Sequence, residues 1–167
     1  MIAPEMTDLP WCVAHTRPRC EKKLAEYCER QGFQVTLPCY RSVKKYDRKT
    51  VTFKKPLFPN YVFLRLEPAQ RQKVFQSDYV ANLLEVPNQE EFEEQLGDIL
   101  LSLESDLEVL LAPAITVGSR VKITTGPLRG LEGFVETRAG VSYVNLRLDF
   151  IGQGVAVKVE ATDLELT

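Results

Sequence analysis

The chain has 167 residues, 44% hydrophobic and 26% charged, with a formal net charge of −2; this fits one medium or two small folded domains and excludes a disordered chain. No apolar run approaches the ~20 residues a membrane helix needs, and the opening MIAPEMTDLP lacks a basic region followed by an apolar core, so a cytoplasmic protein with neither membrane contact nor secretion signal is expected. Residues 1–60 hold 12 Lys and Arg against 6 Asp and Glu, residues 61–115 hold 3 against 11, and residues 116–167 hold 6 of each, which points to a local polyanion-binding surface rather than general adhesion to nucleic acid.

WCVAH (11–15) reads as a strand. Thr16 is positioned to cap a helix with Pro18 in its first turn. In RPRCEKKLAEYCERQG, Cys20, Leu24, Tyr27 and Cys28 recur at helical spacing and Gly32 is the stop. Phe33–Val43 reads as a strand, Lys44–Lys49 as a basic hairpin tip, and Thr50–Phe53 as the return. Pro56 and Pro59 interrupt the pattern before the strand Tyr61–Leu66. A short helix over Pro68–Gln76 and a strand over Tyr79–Val86 follow. Asn88 with Glu91 resembles a capping box, and Phe92, Leu96, Ile99, Leu100 and Leu103 mark an amphipathic helix. Its glutamate-rich first turn suits the positive end of the helix dipole.

Residues 105–115 read as a linker in which Leu107, Leu110 and Leu111 prolong the helix until Pro113 ends it. Beyond it, VGSRVKITTGPLRGLEGFVE, VSYVNLRL and GVAVKVEA alternate with period two between Gly-rich turns, the pattern of a small β-barrel. The expected organisation is an α+β domain over 8–104, the linker 105–115, and an all-β domain over 116–167.

The chemistry-bearing residues form no catalytic set. There is one histidine, His15; the turn Gly126–Gly130 lacks the Lys of a phosphate loop; the carboxylates cluster at one helix end. Neither enzyme nor cofactor is expected. The spacings of Cys12, Cys20, Cys28 and Cys39 match no common zinc or redox motif, so these side chains read as small apolar packing groups and no metal is expected. Two recognition surfaces stand out instead. Arg19, Lys23 and Arg30 lie opposite the apolar stripe of the first helix, with Arg17 at its start, and Lys44, Lys45 and Arg48 crowd the hairpin. Tyr40 and Tyr46 interleave rings suited to base stacking. The second surface is the stretch KKPLFPNYVFLRL (54–66), where Val62, Leu64 and Leu66 share one strand face and Tyr61 and Phe63 the other. Either both faces are buried or one is kept for a partner.

WCVAHTRPR, PLFPNYVFLRL and VGSRVKITTGPLRGLEGFVE together resemble the NusG family of transcription elongation factors over residues 10–166, the middle motif being most similar to its RfaH branch and the last to a KOW motif whose turns Gly126, Gly130 and Gly133 supply. The resemblance implies an N-terminal four-stranded, mostly antiparallel sheet flanked by helices (an NGN domain), followed by a KOW barrel. It implies a factor that binds the clamp helices of the largest RNA polymerase subunit through Phe58, Pro59, Tyr61 and Phe63, with Leu96, Ile99 and Leu100 beside them; a monomer is expected. It implies suppression of pausing and antitermination of particular operons, and contact to non-template DNA or nascent RNA through Arg17, Lys23, Arg30 and Gln31. Leu128 matches the loop tip that meets a small-subunit ribosomal protein or the terminator Rho. Asp78 stands where the RfaH pattern has arginine, and Lys55 where it has an acidic residue that favours a helical form of the last domain, so a β-sheet resting form is expected here. A housekeeping NusG acting with Rho, and a ribosome-associated KOW protein binding RNA, are the alternatives.

Overall fold

The computed structural model describes residues 9–105, 109–113, 118–138, 141–160 and 163–166. The chain divides into two compact units, Met1–Gln89 and Glu90–Thr167. The opening segment 1–8, the helical continuation expected through Leu107, and the expected domain start at 116 lie outside the described residues.

The first unit is built on strand β1 (Trp11–Thr16), the centre of a four-stranded sheet. Helix α1 (Glu21–Arg30) follows, then β2 (Gln34–Thr36), the hairpin strands β3 (Cys39–Tyr46) and β4 (Lys49–Pro56), β5 (Tyr61–Arg65), α2 (Arg71–Phe75) and β6 (Val80–Glu85). The sheet order is β2-β5-β1-β6, with every pairing antiparallel. Among the described residues β3 and β4 pair only with each other.

Helix α1 starts later than its sequence signals indicate. Thr16 stays in β1 and caps nothing; Cys20 is the N-cap residue and makes no side-chain cap bond. The reason is Arg19, whose φ of 63° is left-handed and cannot belong to a right-handed helix. The far end is as expected: Gly32 takes φ 78° just beyond the cap Gln31, a conformation that suits glycine. Leu24 and Cys28 of α1 pack with Ala14, Val62, Leu64, Leu66, Val74 and Val80 under one sheet face. The expected strand Phe33–Val43 is split into β2 and β3, with Leu37 and Pro38 between them.

The second unit contains helix α3 (Gln89–Glu104, whose first residue closes the first unit) and strands β7 (Val109–Pro113), β8 (Arg120–Ile123), β9 (Glu132–Arg138), β10 (Val141–Leu148), β11 (Gln153–Val159) and β12 (Leu164–Leu166). The strands form one antiparallel sheet of order β12-β8-β9-β10-β11-β7. Leu110 and Leu111, expected to prolong the helix, belong instead to β7, opposite Ala156 and Val155. Pro113 is tolerated because β7 is an edge strand, with no neighbour on its outer side among the described residues. Gly126 and Gly130 make the turns expected of them, at φ 86° and 97°. Gly133 does not; it sits inside β9, where a Cβ would lie 2.5 Å from the carbonyl oxygen of Asn145. Its missing side chain lets two strands approach.

Helix α3 is tied to this sheet within the unit. The Gln95 amide donates to the Asp149 carboxylate at 2.8 Å, and the Asp149 backbone N–H donates to Gln95 Oε1 at 2.9 Å. Phe92 meets the ring of Phe150 edge-on, centroids 6.2 Å apart. No helix among the described residues is long and apolar enough to cross a membrane.

Candidate nucleic-acid and protein interfaces

In an antiparallel pair, directly opposed residues share a face. The register therefore sorts the first sheet. Ala14 with Val62 and Leu83, and Cys12 with Leu64, face α1; Val13 with Phe63 and Leu84, and His15 with Tyr61 and Asn82, face away. The ring of Phe58 stands edge-on to Phe63, centroids 5.9 Å apart, and His15 lies against Tyr61 at 5.4 Å. At the far end of this face Arg65 places its guanidinium 4.4 Å over the ring of Trp11, a cation–π pair.

Phe58 and Phe63 are buried, at 1% and 0% exposure. Both faces of β5 are therefore covered, which is why the strand lacks a polar alternation. Tyr61 is half-buried and Pro59 exposed. Leu96 and Ile99 are buried on α3, and Leu100 is half-buried. These three belong to the second unit and the four residues from 58 to 63 to the first. Leu128 is 1% exposed; the bonded turn from Ile123 to Leu131 points it inward, not to an open tip.

The basic residues are arranged differently. Arg17, Arg19, Lys23, Arg30, Gln31, Lys44, Lys45 and Arg48 are all exposed, and the seven cations among them form no ion pair with a described residue. The corner where β1 ends gathers three non-glycine residues at positive φ: Arg19, Asn60 at 71° and Asp78 at 66°. Backbone bonds knit it together. The Thr16 N–H donates to the Asn60 carbonyl at 2.8 Å and the Arg17 N–H to the Tyr79 carbonyl at 2.9 Å; the Asn60 N–H reaches Glu21 Oε2 at 3.3 Å. Asp78 thus brings a negative charge to the loop that meets Arg17. Strain of this kind concentrates where a loop must hold a set shape.

The hairpin carries seven Lys and Arg and one acidic residue between Cys39 and Pro56. Its tip is shorter than the sequence implies. Lys44, Lys45 and Lys49 lie in paired strands, and only Asp47 and Arg48 turn, Asp47 taking φ 46°. The Lys22 ammonium of α1 donates to the Lys54 carbonyl at 2.5 Å and ties the ribbon's base to the domain. Sequence reading missed Phe53, 40% exposed in β4, together with His15 and Arg65. The signal for all three is strand register, which needs the pairing partner. Burial raises the thiol pKa of Cys12 and pushes that of Cys28 up to about 12, so both behave as apolar packing groups.

Comparisons with known proteins bear on these surfaces. A family described as "Transcription termination factor nusG" matches residues 9–95. No curated protein sequence matches the chain. A solved structure described as "Domain interaction in Thermotoga maritima NusG" is similar with a TM-score of 0.51 and 20% identity, over 96% of this chain and 98% of that one. The likeness is one of fold and extends through both units.

Proposed function

From the premise that this chain belongs to the NusG family, a family of transcription factors that act without catalysis, we propose a specialised elongation factor that binds RNA polymerase, suppresses pausing and promotes antitermination. The observation that carries the reading is the sheet face holding Phe58, Tyr61 and Phe63 with Val13 and Leu84. It is a contiguous apolar and aromatic surface on the side of the sheet away from α1, of the kind that anchors a helical partner such as the clamp helices. Phe58 and Phe63 are buried in this structure, so binding through them requires their uncovering, whereas Tyr61 and Pro59 stand at the accessible margin. Nucleic-acid contact, to non-template DNA or nascent RNA, falls to the exposed cations of α1, its preceding loop and the hairpin. The factor works by favouring one polymerase state over another through differential binding.

Tyr61→Ala is expected to weaken association with purified RNA polymerase about ten-fold or more, and the Phe58→Ala/Tyr61→Ala double variant to abolish co-purification. Single-round transcription across a pause and a terminator should show fewer paused and terminated products with the parent chain than without it. Undiminished polymerase binding by the double variant overturns the assignment of the face. Termination that increases, and only when Rho is added, overturns the specialised role in favour of the housekeeping one.

A further inference from the structure

The hairpin ribbon has two chemically different faces. Opposed pairs Tyr40–Lys55, Ser42–Phe53, Lys44–Val51 and Tyr46–Lys49 share one of them; Arg41–Lys54, Val43–Thr52 and Lys45–Thr50 share the other. All three aromatic residues of the ribbon therefore lie on one face, alternating with three lysines. Tyr46 and Phe53 are 53% and 40% exposed, and no third strand among the described residues joins the ribbon. An isolated two-stranded ribbon is marginally stable, and exposed rings on it contribute little to folding. Their grouping with cations is the arrangement of a stacking platform.

The spacing fits one ligand. Same-face rungs repeat about every 7 Å along a strand; Tyr40 and Phe53 occupy neighbouring rungs and Tyr46 lies two rungs beyond Phe53, so the rings fall roughly two and four base steps of a stacked nucleic-acid strand apart. Duplex bases are already stacked on each other, so only a single strand can offer theirs to protein rings. Ser42 and the phenol hydroxyls of Tyr40 and Tyr46 share the face and can donate to or accept from a ribose 2′-hydroxyl.

We infer that the ring-bearing face of the hairpin binds single-stranded RNA, bases stacking on Tyr40, Phe53 and Tyr46 while Lys44, Lys49 and Lys55 hold the phosphates. This rests on the nucleic-acid reading above and narrows it to one strand type and one face.

The test is fluorescence anisotropy with the full chain and a short labelled single-stranded RNA, the same sequence as single-stranded DNA, and the RNA duplex. RNA should bind most tightly. F53I and Y46I keep the strand preference and remove a ring; each should weaken RNA binding about ten-fold and leave the salt dependence unchanged. K44Q should lower the salt slope by about one. Melting curves and polymerase co-purification of F53I and Y46I should match the parent. Parental RNA affinity in F53I and Y46I, or DNA or duplex binding equal to RNA, overturns the inference. If the rings prove dispensable but K44E/K45E abolishes binding, the ring face is wrong and the basic-surface reading survives. If no probe binds, both fall while the polymerase reading is judged separately.

Discussion

Arg19 shows how one residue can serve two ends. Its left-handed backbone delays α1 and holds an exposed cation at the β1 corner. Glycine adopts that conformation without penalty, so Arg19→Gly should stabilise the fold by about 1 kcal/mol in thermal or denaturant melts. The same variant should lose nucleic-acid affinity, and a substitution that changes both in one direction contradicts this account. Asp98 on α3 behaves in the opposite sense to a typical surface carboxylate. Burial, and then the charge of Glu94, raises its pKa above the ordinary 3.8. A carboxyl whose folded pKa is raised is stabilising when protonated, and that contribution is lost as pH rises from the unfolded value through the folded one. Asp98→Asn should therefore raise the melting temperature at pH 7 and flatten its fall as pH rises above the ordinary carboxylate value. Melts of parent and variant across that range check this.

At the level of elements, β5 and the hairpin define what could be read in advance. The presence of β1, α1, β5, β6, α3 and the strands β8 to β11 followed from periodicity and turn residues, because each presents at least one regular apolar stripe. Three things did not. The late start of α1 depends on a φ angle that no side chain announces. Strand β7 reads as a helical tail because Leu110 and Leu111 suit either structure, and only pairing with β11 decides. The burial of Leu128, and of both faces of β5, depends on neighbours distant in sequence. The cations were legible one by one; their division into a ring face and a ringless face was not, since it needs the register. A clear expectation follows for β5. Phe63→Ala should cost about 3 kcal/mol in denaturant melts, because the ring is fully buried, whereas Tyr61→Ala should cost much less and act mainly on binding. Equal stability losses would show that Tyr61 belongs to the core.

Across the whole molecule, charge is partitioned where the fold divides. The first unit holds 15 Lys and Arg against 9 Asp and Glu and the second 6 against 14, so a chain of net charge −2 still presents exposed cations on α1 and the hairpin. Binding to a single-stranded oligonucleotide should weaken steeply with added salt despite the negative total, and K44E/K45E should flatten that dependence. Titrations at two salt concentrations measure it; salt-independent binding would mean that the local patch does not act as a unit. The sheet order has a consequence of another kind. β1 is made first yet sits between β5 and β6, strands that begin 45 and 64 residues after its last residue, Thr16. During synthesis the hydrogen-bonding edges of Trp11–Thr16 must wait for both. Ordering of the first unit is thus a late, long-range event on the ribosome, and a nascent chain that stalls before Val80 carries its central strand with one edge open to other chains.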